Sequence, residues 1–222
     1  MRKLTALVTG SSQGIGAGIV LSLRADGWNL LTPTRDELNL SEPASIECFL
    51  SSLDVPVDGL VLNAGINVPG LIGKMSVGTY EKIQLVNVTS GFELLSGLVP
   101  PMAERDFGRV VAISSAYSLR ARGGRVAYSA SKAALEAVVR TVSIEFADRG
   151  VVANCVAPGF VDTELTRKNN TPAMIDGILH RVPVGRLASA EEIGRAVTFL
   201  MSPDNEYITG QTLNVDGGFS CM

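Results

Sequence analysis

Tyr128 and Lys132 lie four residues apart at the start of a predicted long helix. Residues i and i+4 share one face of a helix, so the lysine ammonium can lie near the tyrosine phenol. A neighbouring cation favours the phenolate and is expected to lower the tyrosine pKa, which suits a proton donor to a carbonyl oxygen. The pair therefore indicates acid–base chemistry at a carbonyl or alcohol carbon, although this spacing also occurs by chance.

A glycine-rich turn runs from Thr9 to Gly16 and opens a helical segment. A pyrophosphate binds the exposed N–H groups of a helix N-terminus where no Cβ holds it away. The spacing Gly-x-x-x-Gly-x-Gly differs from the common dinucleotide pattern, and by itself a structural turn explains it equally well. Asn63-Ala64-Gly65 ends a second apolar run. Ligands bind at the carboxyl ends of parallel strands, so the two turns together predict a ligand crevice.

Short apolar runs alternate with helical patterns and must position these residues. We predict strands at Leu4–Thr9, Trp28–Thr32, Gly59–Leu62, Arg109–Ser114, Val151–Val156 and Gln211–Val215. We predict helices at Gly14–Ala25, Pro43–Leu53 (capped by Ser41), Ser76–Glu104, Ala127–Asp148 and Glu191–Met201. Solid apolar strands separated by helices indicate a parallel sheet covered on both faces. The expected fold is a single α/β domain over residues 1–222, with a doubly wound, Rossmann-type sheet of about seven strands.

Composition excludes several classes of protein. A net charge of −3 with 18% charged residues argues against a general nucleic-acid binder and against disorder. Three cysteines without ligand spacing and one histidine, His180, predict reduced thiols and no metal site. The chain has no apolar stretch of about 20 residues and no signal-peptide pattern, so we expect a cytoplasmic protein without a membrane partner.

Seven blocks, in order, resemble the short-chain dehydrogenase/reductase family along the whole chain, in particular its members that act as 3-oxoacyl-(acyl carrier protein) reductases. Each block is weak alone, but their order and spacing are specific. The blocks are Thr9-Gly10-x-x-x-Gly14-x-Gly16, Asn63-Ala64-Gly65, Asn87 within Val86-Asn87-Val88, Ser114-Ser115, Tyr128-x-x-x-Lys132, Pro158-Gly159 with Thr163, and Thr209 to Gly218.

The resemblance implies a role for each matching residue at the reacting centre. Tyr128 would be the acid in reduction and the base in oxidation. Lys132 would lower the Tyr128 pKa and bond the nicotinamide ribose. Ser115, thirteen residues before the tyrosine, would hold the substrate oxygen, with Ser114 as its rival. Asn87 would anchor a water in a proton relay.

The resemblance also implies a nicotinamide dinucleotide cofactor along the strand ends. The pyrophosphate would lie on Gly10, Ser12, Gln13, Gly14, Ile15 and Gly16, and further contacts would come from Asn63, Ala64 and Gly65. Tyr128 and Lys132 would reach the nicotinamide ribose. Pro158 and Gly159 would shape the turn under the nicotinamide, whereas Thr163 and the peptide of Val161 would orient its carboxamide. Asn39 and Leu40 would flank the adenine, in a segment that is shorter than is usual in the family.

The end of the second strand bears on the choice between NADP and NAD. A carboxylate there holds the ribose 2′-OH of NAD, whereas an arginine accommodates the 2′-phosphate of NADP. Thr34 and Arg35 occupy this place, which favours NADP because no carboxylate stands at the position that would repel the phosphate. Asp36 and Glu37 follow at once and keep NAD open as an alternative.

Residues 164–185 correspond to the substrate lid of the family. Arg167 and Lys168 there suit an acidic substrate, although a solvated helix face explains them more simply, and His180 is expected to be structural. Relatives pair through corresponding surfaces, so the resemblance implies a homodimer or homotetramer. Three functions remain open: an NADPH-dependent reductase of a ketone such as a 3-oxoacyl or sugar-linked group, an NAD-dependent alcohol dehydrogenase, and a non-catalytic cofactor-binding protein.

Overall fold

A six-stranded parallel sheet forms the centre of the protein in the computed structural model, which describes residues 3–222 apart from the side chains of Leu165 and Asn169. Its strands are β1 (Thr5–Val8), β2 (Asn29–Leu31), β3 (Gly59–Leu62), β4 (Gly108–Ile113), β5 (Val151–Pro158) and β6 (Thr212–Val215). Their spatial order is β2-β1-β3-β4-β5-β6, and all neighbouring pairs run parallel. The chain moves from β1 outward to β2 and then returns past β1 to β3, so the strand order reverses between β1 and β3. Such a reversal is where doubly wound sheets bind ligands.

Helices cover both faces of this sheet. They are α1 (Gly14–Ala25), α2 (Pro43–Ser51), α3 (Val77–Gln84), α4 (Ser90–Glu104), α5 (Ala116–Leu119), α6 (Val126–Phe146), α7 (Glu164–Asn169), α8 (Pro172–Leu179) and α9 (Ala190–Met201). Short 3₁₀ turns lie at Ala147–Arg149 and Phe219–Cys221. No helix in residues 3–222 has the length and apolarity needed to cross a membrane.

The strands divide their side chains between two hydrophobic cores. Successive residues of a strand point to opposite faces, so Leu7 joins the core under α4 and α6, whereas Ala6 and Val8 join the core under α1 and α9. All four residues of β3 and all eight of β5 are buried. This burial explains why the strands are continuous apolar runs in the sequence.

The expected count of about seven strands is wrong for residues 3–222, where the sheet has six. Residues 32–58 connect β2 to β3 and contain a single helix, α2, so no further strand forms there. Ser41 does not cap α2 as predicted. The N-cap is Glu42, without a side-chain capping bond, and Pro43 occupies the first turn. The short connection leaves β2 at the edge of the sheet, where it helps to border the ligand crevice.

The helix predicted over Ser76–Glu104 is interrupted in the middle. Ser76 caps α3 through its side chain, and α4 continues through Pro100 and Pro101. Between them, Leu85–Thr89 forms one π-helical turn. Such turns are inserted where a helix must shift its register, frequently at functional sites. Here the turn contains Asn87, which brings this residue to the strand ends.

Candidate active site

A cleft with a volume of about 1130 Å³ lies at the carboxyl ends of the strands. Most of the residues that the sequence assigns to cofactor binding line it: Gly10, Ser12, Gln13, Gly14, Ile15, Gly16, Thr34, Arg35, Asn39, Leu40, Asn63, Ala64, Gly65, Tyr128, Lys132, Pro158, Gly159 and Thr163. Ser115 lines it as well. Val161 and Asn87 do not, and both are buried. The side chain of Val161 lies in the core beside Ala188, and the predicted contact of its peptide group with the cofactor stays a prediction.

The glycine turn is shaped by steric requirements at three positions. Gly10 and Gly14 have φ values of +62° and +53°, a region that residues with a Cβ rarely adopt. At Gly16 the φ angle is ordinary, but a Cβ would lie 2.0 Å from the Gly10 carbonyl oxygen. The first turn of α1 therefore packs directly on the loop. Its N-cap, Gln13, makes no side-chain capping bond, so no side chain of the cap covers these N–H groups.

Thr9 and Asn63 tie the ends of β1 and β3 together. The Thr9 hydroxyl accepts hydrogen bonds from the N–H groups of Asn63 and Ala64 at 3.1 and 3.0 Å. The Asn63 amide nitrogen donates to the carbonyls of Thr9 and Gly10, each at 2.9 Å. Asn63 therefore shapes the glycine turn, a structural contribution beyond the cofactor contact expected for it.

Ser115, Tyr128 and Lys132 meet at one end of the cleft. The phenol of Tyr128 lies near Ser115, which lowers its pKa, and the Lys132 Nζ lies 5.8 Å from the Tyr128 ring centroid. Lys132 is buried and donates to the Ile113 carbonyl at 2.7 Å. Gly65 lies against this ammonium, since a Cβ there would be 3.4 Å from the Lys132 Nζ. The cation thus stands at the meeting point of β3, β4 and α6.

Burial changes the ionisation of both groups. The pKa of Tyr128 is raised, because the loss of solvent outweighs the hydrogen bond to Ser115 and the charge of Arg125, which lower it. The ammonium of Lys132 is directed to the Ile113 carbonyl, and the lowering of the Tyr128 pKa by Lys132 stays a prediction. Burial also lowers the pKa of Lys132 to about 8. Tyr128 is thus a neutral phenol at neutral pH, able to donate a proton.

The two adjacent serines have different partners. The Ser114 hydroxyl donates to the Glu136 carboxylate, away from Tyr128. Ser115 caps α5, where its hydroxyl accepts the N–H of Tyr117 at 3.2 Å and also contacts the Tyr128 phenol. The geometry therefore favours Ser115 over Ser114 as the serine that faces a substrate.

Asn87 uses its whole side chain to hold the segment after β3. Its Oδ1 accepts from the Ile66 N–H at 2.8 Å, and its Nδ2 donates to the Ile66 carbonyl and to the Ser131 hydroxyl, each at 2.9 Å. In the π-helical turn the Ser90 N–H donates to the Leu85 carbonyl, and the Ser90 hydroxyl donates to the Val86 carbonyl. The side chain of Asn87 therefore positions the segment after β3, and its bond to a relay water stays a prediction.

The carboxylate of Glu37 binds Thr34, which lines the far end of the cleft, although Glu37 itself does not line it. Glu37 Oε2 accepts from both the N–H and the hydroxyl of Thr34, at 2.7 and 2.9 Å. These bonds lower the Glu37 pKa. Thr34 and Arg35 stand at the end of β2 as the sequence indicates, and Glu37 contacts Thr34 from outside the cleft lining. Asn39 is similarly engaged, because its amide donates to Glu42 at 2.7 Å.

The predicted lid, residues 164–185, contains α7 and α8. Thr163 caps α7 with its hydroxyl and lies opposite the glycine turn, since a Cβ on Gly14 would be 3.4 Å from the Thr163 methyl group. Arg167 forms a two-pronged ion pair with Asp162 at 2.7 and 2.6 Å. Its guanidinium is thus already paired and is a poor candidate for an acidic substrate. His180 is exposed and contacts the Asp176 carbonyl of its own helix at 2.8 Å, as expected for a structural residue.

Comparisons with known proteins agree with this architecture. The family model described as enoyl-(acyl carrier protein) reductase matches residues 37–220. The 3-oxoacyl-[acyl-carrier-protein] reductase FabG of Escherichia coli strain K12 is 37% identical over 234 residues, covering 96% of both chains. The uncharacterized oxidoreductase YmfI of Bacillus subtilis strain 168 is 35% identical, covering 98% of this chain and 99% of YmfI.

Solved structures give the same result. A candidate gluconate dehydrogenase from Agrobacterium tumefaciens superposes with a TM-score of 0.94 at 26% identity, covering 99% of this chain and 96% of that one. A 3-oxoacyl (acyl-carrier-protein) reductase from the C58 strain of the same organism, with NADP bound, gives 0.88 at 30% identity and covers 97% and 94%. With a matched family model, relatives along nearly the whole length and the same fold, this chain belongs to the short-chain dehydrogenase/reductase family of oxidoreductases.

Proposed function

We propose that this protein is an NADP(H)-dependent reductase of a ketone, with Tyr128 as proton donor, Ser115 as the residue that binds the carbonyl oxygen and Lys132 as the supporting cation. One observation carries this proposal. A half-buried, neutral phenol near a serine hydroxyl stands beside a buried ammonium, at the end of a cleft that begins on a glycine turn. A non-catalytic cofactor-binding protein has no need of this set.

The glycine turn fits a dinucleotide cofactor. Positive φ angles at Gly10 and Gly14 and the contact at Gly16 leave the N-terminus of α1 without a Cβ to hold a pyrophosphate away. Pro158, Gly159 and Thr163 border the same cleft on the side of the expected nicotinamide. We propose that Lys132 also reaches the nicotinamide ribose and that Asn87 supports the relay through its main chain.

When bound, the nicotinamide supplies or accepts the hydride. The protein's part is to bind the carbonyl oxygen and to move the proton. In reduction, the Ser115 hydroxyl holds the carbonyl oxygen while Tyr128 donates its phenolic proton to it. The positive charge of Lys132 then stabilises the phenolate that forms, because an adjacent cation favours the charged state of the phenol. Because the Tyr128 phenol is protonated at neutral pH, it holds the proton that the reductive direction requires.

We expect wild-type protein to bind NADPH at least about tenfold more tightly than NADH, which corresponds to about 1.4 kcal/mol. Thr34 and Arg35 line the far end of the cleft, where a hydroxyl and a guanidinium suit a phosphate. Titration of cofactor fluorescence with each nucleotide measures the two dissociation constants. Equal or reversed affinities would remove the Arg35 argument and favour NAD.

Glu37→Gln is expected to increase the preference for NADPH roughly three- to fivefold, the range for exposed charges. Glutamine can still accept a hydrogen bond from the Thr34 N–H. The substitution removes the negative charge beside the Thr34 N–H and hydroxyl, the donors that would bind a 2′-phosphate. NADH affinity should change less than about twofold. Asp36→Asn is the matched control, because that neighbouring carboxylate is also exposed. An equal change for both cofactors, or none, would show that the carboxylate does not oppose the phosphate.

A panel of ketones and alcohols, assayed by nicotinamide absorbance with both cofactors, tests the reaction itself. The likeness to 3-oxoacyl reductases makes a 3-oxoacyl thioester the first ketone to examine. An NAD-dependent alcohol dehydrogenase is the second candidate, favoured by the carboxylate of Glu37 and by the TM-score of 0.94 with the candidate gluconate dehydrogenase. Oxidation of sugar acids with NAD, without reduction of any ketone by NADPH, would select it.

We further propose that residues 164–185 close over the substrate.

A further inference from the structure

Three residues on one face of α6 bind the segment that carries Ser115. Tyr128, Lys132 and Glu136 follow at intervals of four, so they lie on successive turns of the same face. Tyr128 contacts Ser115, and Lys132 donates to the Ile113 carbonyl at 2.7 Å. Glu136, one turn further along, receives hydrogen bonds from this segment. The family pair Tyr-x-x-x-Lys is thus extended here by a third group.

Glu136 holds the serine segment on both sides of Ser115. Its Oε1 accepts from the hydroxyls of Ser114 and Ser118, each at 2.5 Å. The Ser118 N–H donates to the Ser115 carbonyl at 2.9 Å, and the Ser118 hydroxyl oxygen, whose single proton can go to Glu136 or to this carbonyl, lies 2.8 Å from it. The glutamate side chain is only 13% exposed, so water competes little for these bonds. One carboxylate oxygen therefore joins the residues before and after Ser115 to the helix of Tyr128.

We propose that Glu136 is a positioning residue for the reaction proposed above: it fixes Ser115 relative to Tyr128 by binding Ser114 and Ser118 to α6. The second oxygen, Oε2, lies 3.7 Å from the half-exposed Arg140 guanidinium. This ion pair between Glu136 and Arg140 is long and lies on the solvent side of Glu136, away from Ser114 and Ser118. The contacts with Ser114 and Ser118 are the ones that reach the site.

Glu136 also acts on Lys132 through its charge. In residues 3–222 the titratable groups that face Lys132 are Tyr128 and Glu136 on α6 and Cys155 on β5. Burial raises the pKa of the Cys155 thiol to about 12, so it is neutral at neutral pH. The anionic neighbour of the ammonium is therefore Glu136, which raises a Lys132 pKa that burial lowers to about 8. Its removal should make Lys132 lose its proton at lower pH.

The variant Glu136→Gln tests both effects, with Glu145→Gln as the control because Glu145 is an exposed carboxylate of the same helix. We expect Glu136→Gln to lower kcat on a ketone by about tenfold or more, with the dissociation constant of NADPH changed less than about twofold. The alkaline limb of its pH–rate profile should move to lower pH by about half a unit. The proposal would be overturned if both kcat and the position of the alkaline limb were the same in Glu136→Gln as in wild type.

Ser118→Ala separates position from charge and also covers the case in which Glu136→Gln does not fold. It removes one bond to Glu136 but keeps the carboxylate, so kcat should fall while the alkaline limb stays in place. Unchanged kcat in Ser118→Ala would contradict the positioning role.

The ionisation of Lys132 can be measured without any cofactor. The chain has five lysines, so ¹³C NMR of the lysine Cε atoms, assigned with Lys132→Arg, gives the Lys132 pKa in the cofactor-free protein. Glu136→Gln should lower that pKa by about half a unit, and an unchanged value would remove the electrostatic effect. This measurement is independent of the proposed reaction. A wild-type protein that reduces no ketone would refute the proposed function, yet the NMR result would still stand.

Discussion

Tyr128→Phe is expected to lower turnover by on the order of 10³-fold while leaving the NADPH dissociation constant within about threefold of wild type. The phenylalanine keeps the ring in its place beside Ser115 but has no proton to donate. Removing the hydroxyl leaves the glycine turn, on the opposite side of the cleft, unchanged. Stopped-flow or steady-state absorbance of NADPH with a reducible ketone measures the rate, and fluorescence titration measures the affinity.

Tyr207→Phe is the matched control, since Tyr207 is 96% exposed and lies outside the cleft. It should retain wild-type turnover. If Tyr128→Phe kept more than about a tenth of the wild-type rate, the proton would have to come from another group, and Tyr128 would lose the role of acid.

Gly16→Ala is expected to weaken binding of NADPH by on the order of 100-fold. A Cβ at this position would lie 2.0 Å from the Gly10 carbonyl oxygen and 2.7 Å from the Asn63 amide nitrogen, so the turn must move away from α1. Overpacking of this kind costs about 1–3 kcal/mol, and here the cost falls on the backbone that would hold the pyrophosphate. The melting temperature should fall as well, because the turn packs against the buried start of α1.

Gly73→Ala is the control for this change, because a Cβ there would meet nothing within 4 Å and the φ angle is ordinary. Isothermal titration of both variants with NADPH, together with thermal unfolding, gives the comparison. Tight binding by a folded Gly16→Ala protein would show that the glycine turn does not hold the cofactor.

The centre of the sheet could be predicted from the sequence because β1, β3, β4 and β5 are buried along their whole length. Runs such as Gly59–Leu62 are apolar at successive positions, and α1 has the predicted bounds, Gly14–Ala25. The strand count was too high because the expectation of about seven came from the usual size of the fold, whereas residues 32–58 contain one helix only. The chain's own apolar runs marked six strands.

Side-chain partners in the site were harder to predict than the backbone. Spacing brought Tyr128 close to Lys132, but it could not show that the ammonium is directed to the Ile113 carbonyl on another strand. The spacing also did not show that the Glu37 side chain folds back to bind Thr34, because a glutamate three residues away can adopt several rotamers. Glu136 was missed, although its spacing of four from Lys132 was a usable signal. Its partners are 22 and 18 residues away and become neighbours only in the fold.

Two sets of hydrogen bonds hold the two ends of the cleft, and Asn87 connects them. Thr9 and Asn63 fasten β1 to β3 and carry the glycine turn, whereas α6 and the segment from Ile113 to Ser118 hold each other through a separate set of bonds. A shift of α6 should carry proton donor and serine together, so their mutual distance is preserved while their distance to the turn changes. Asn87 links the two sets, because it binds Ile66 after β3 and Ser131 on α6, so a change at this residue should alter both ends of the cleft together.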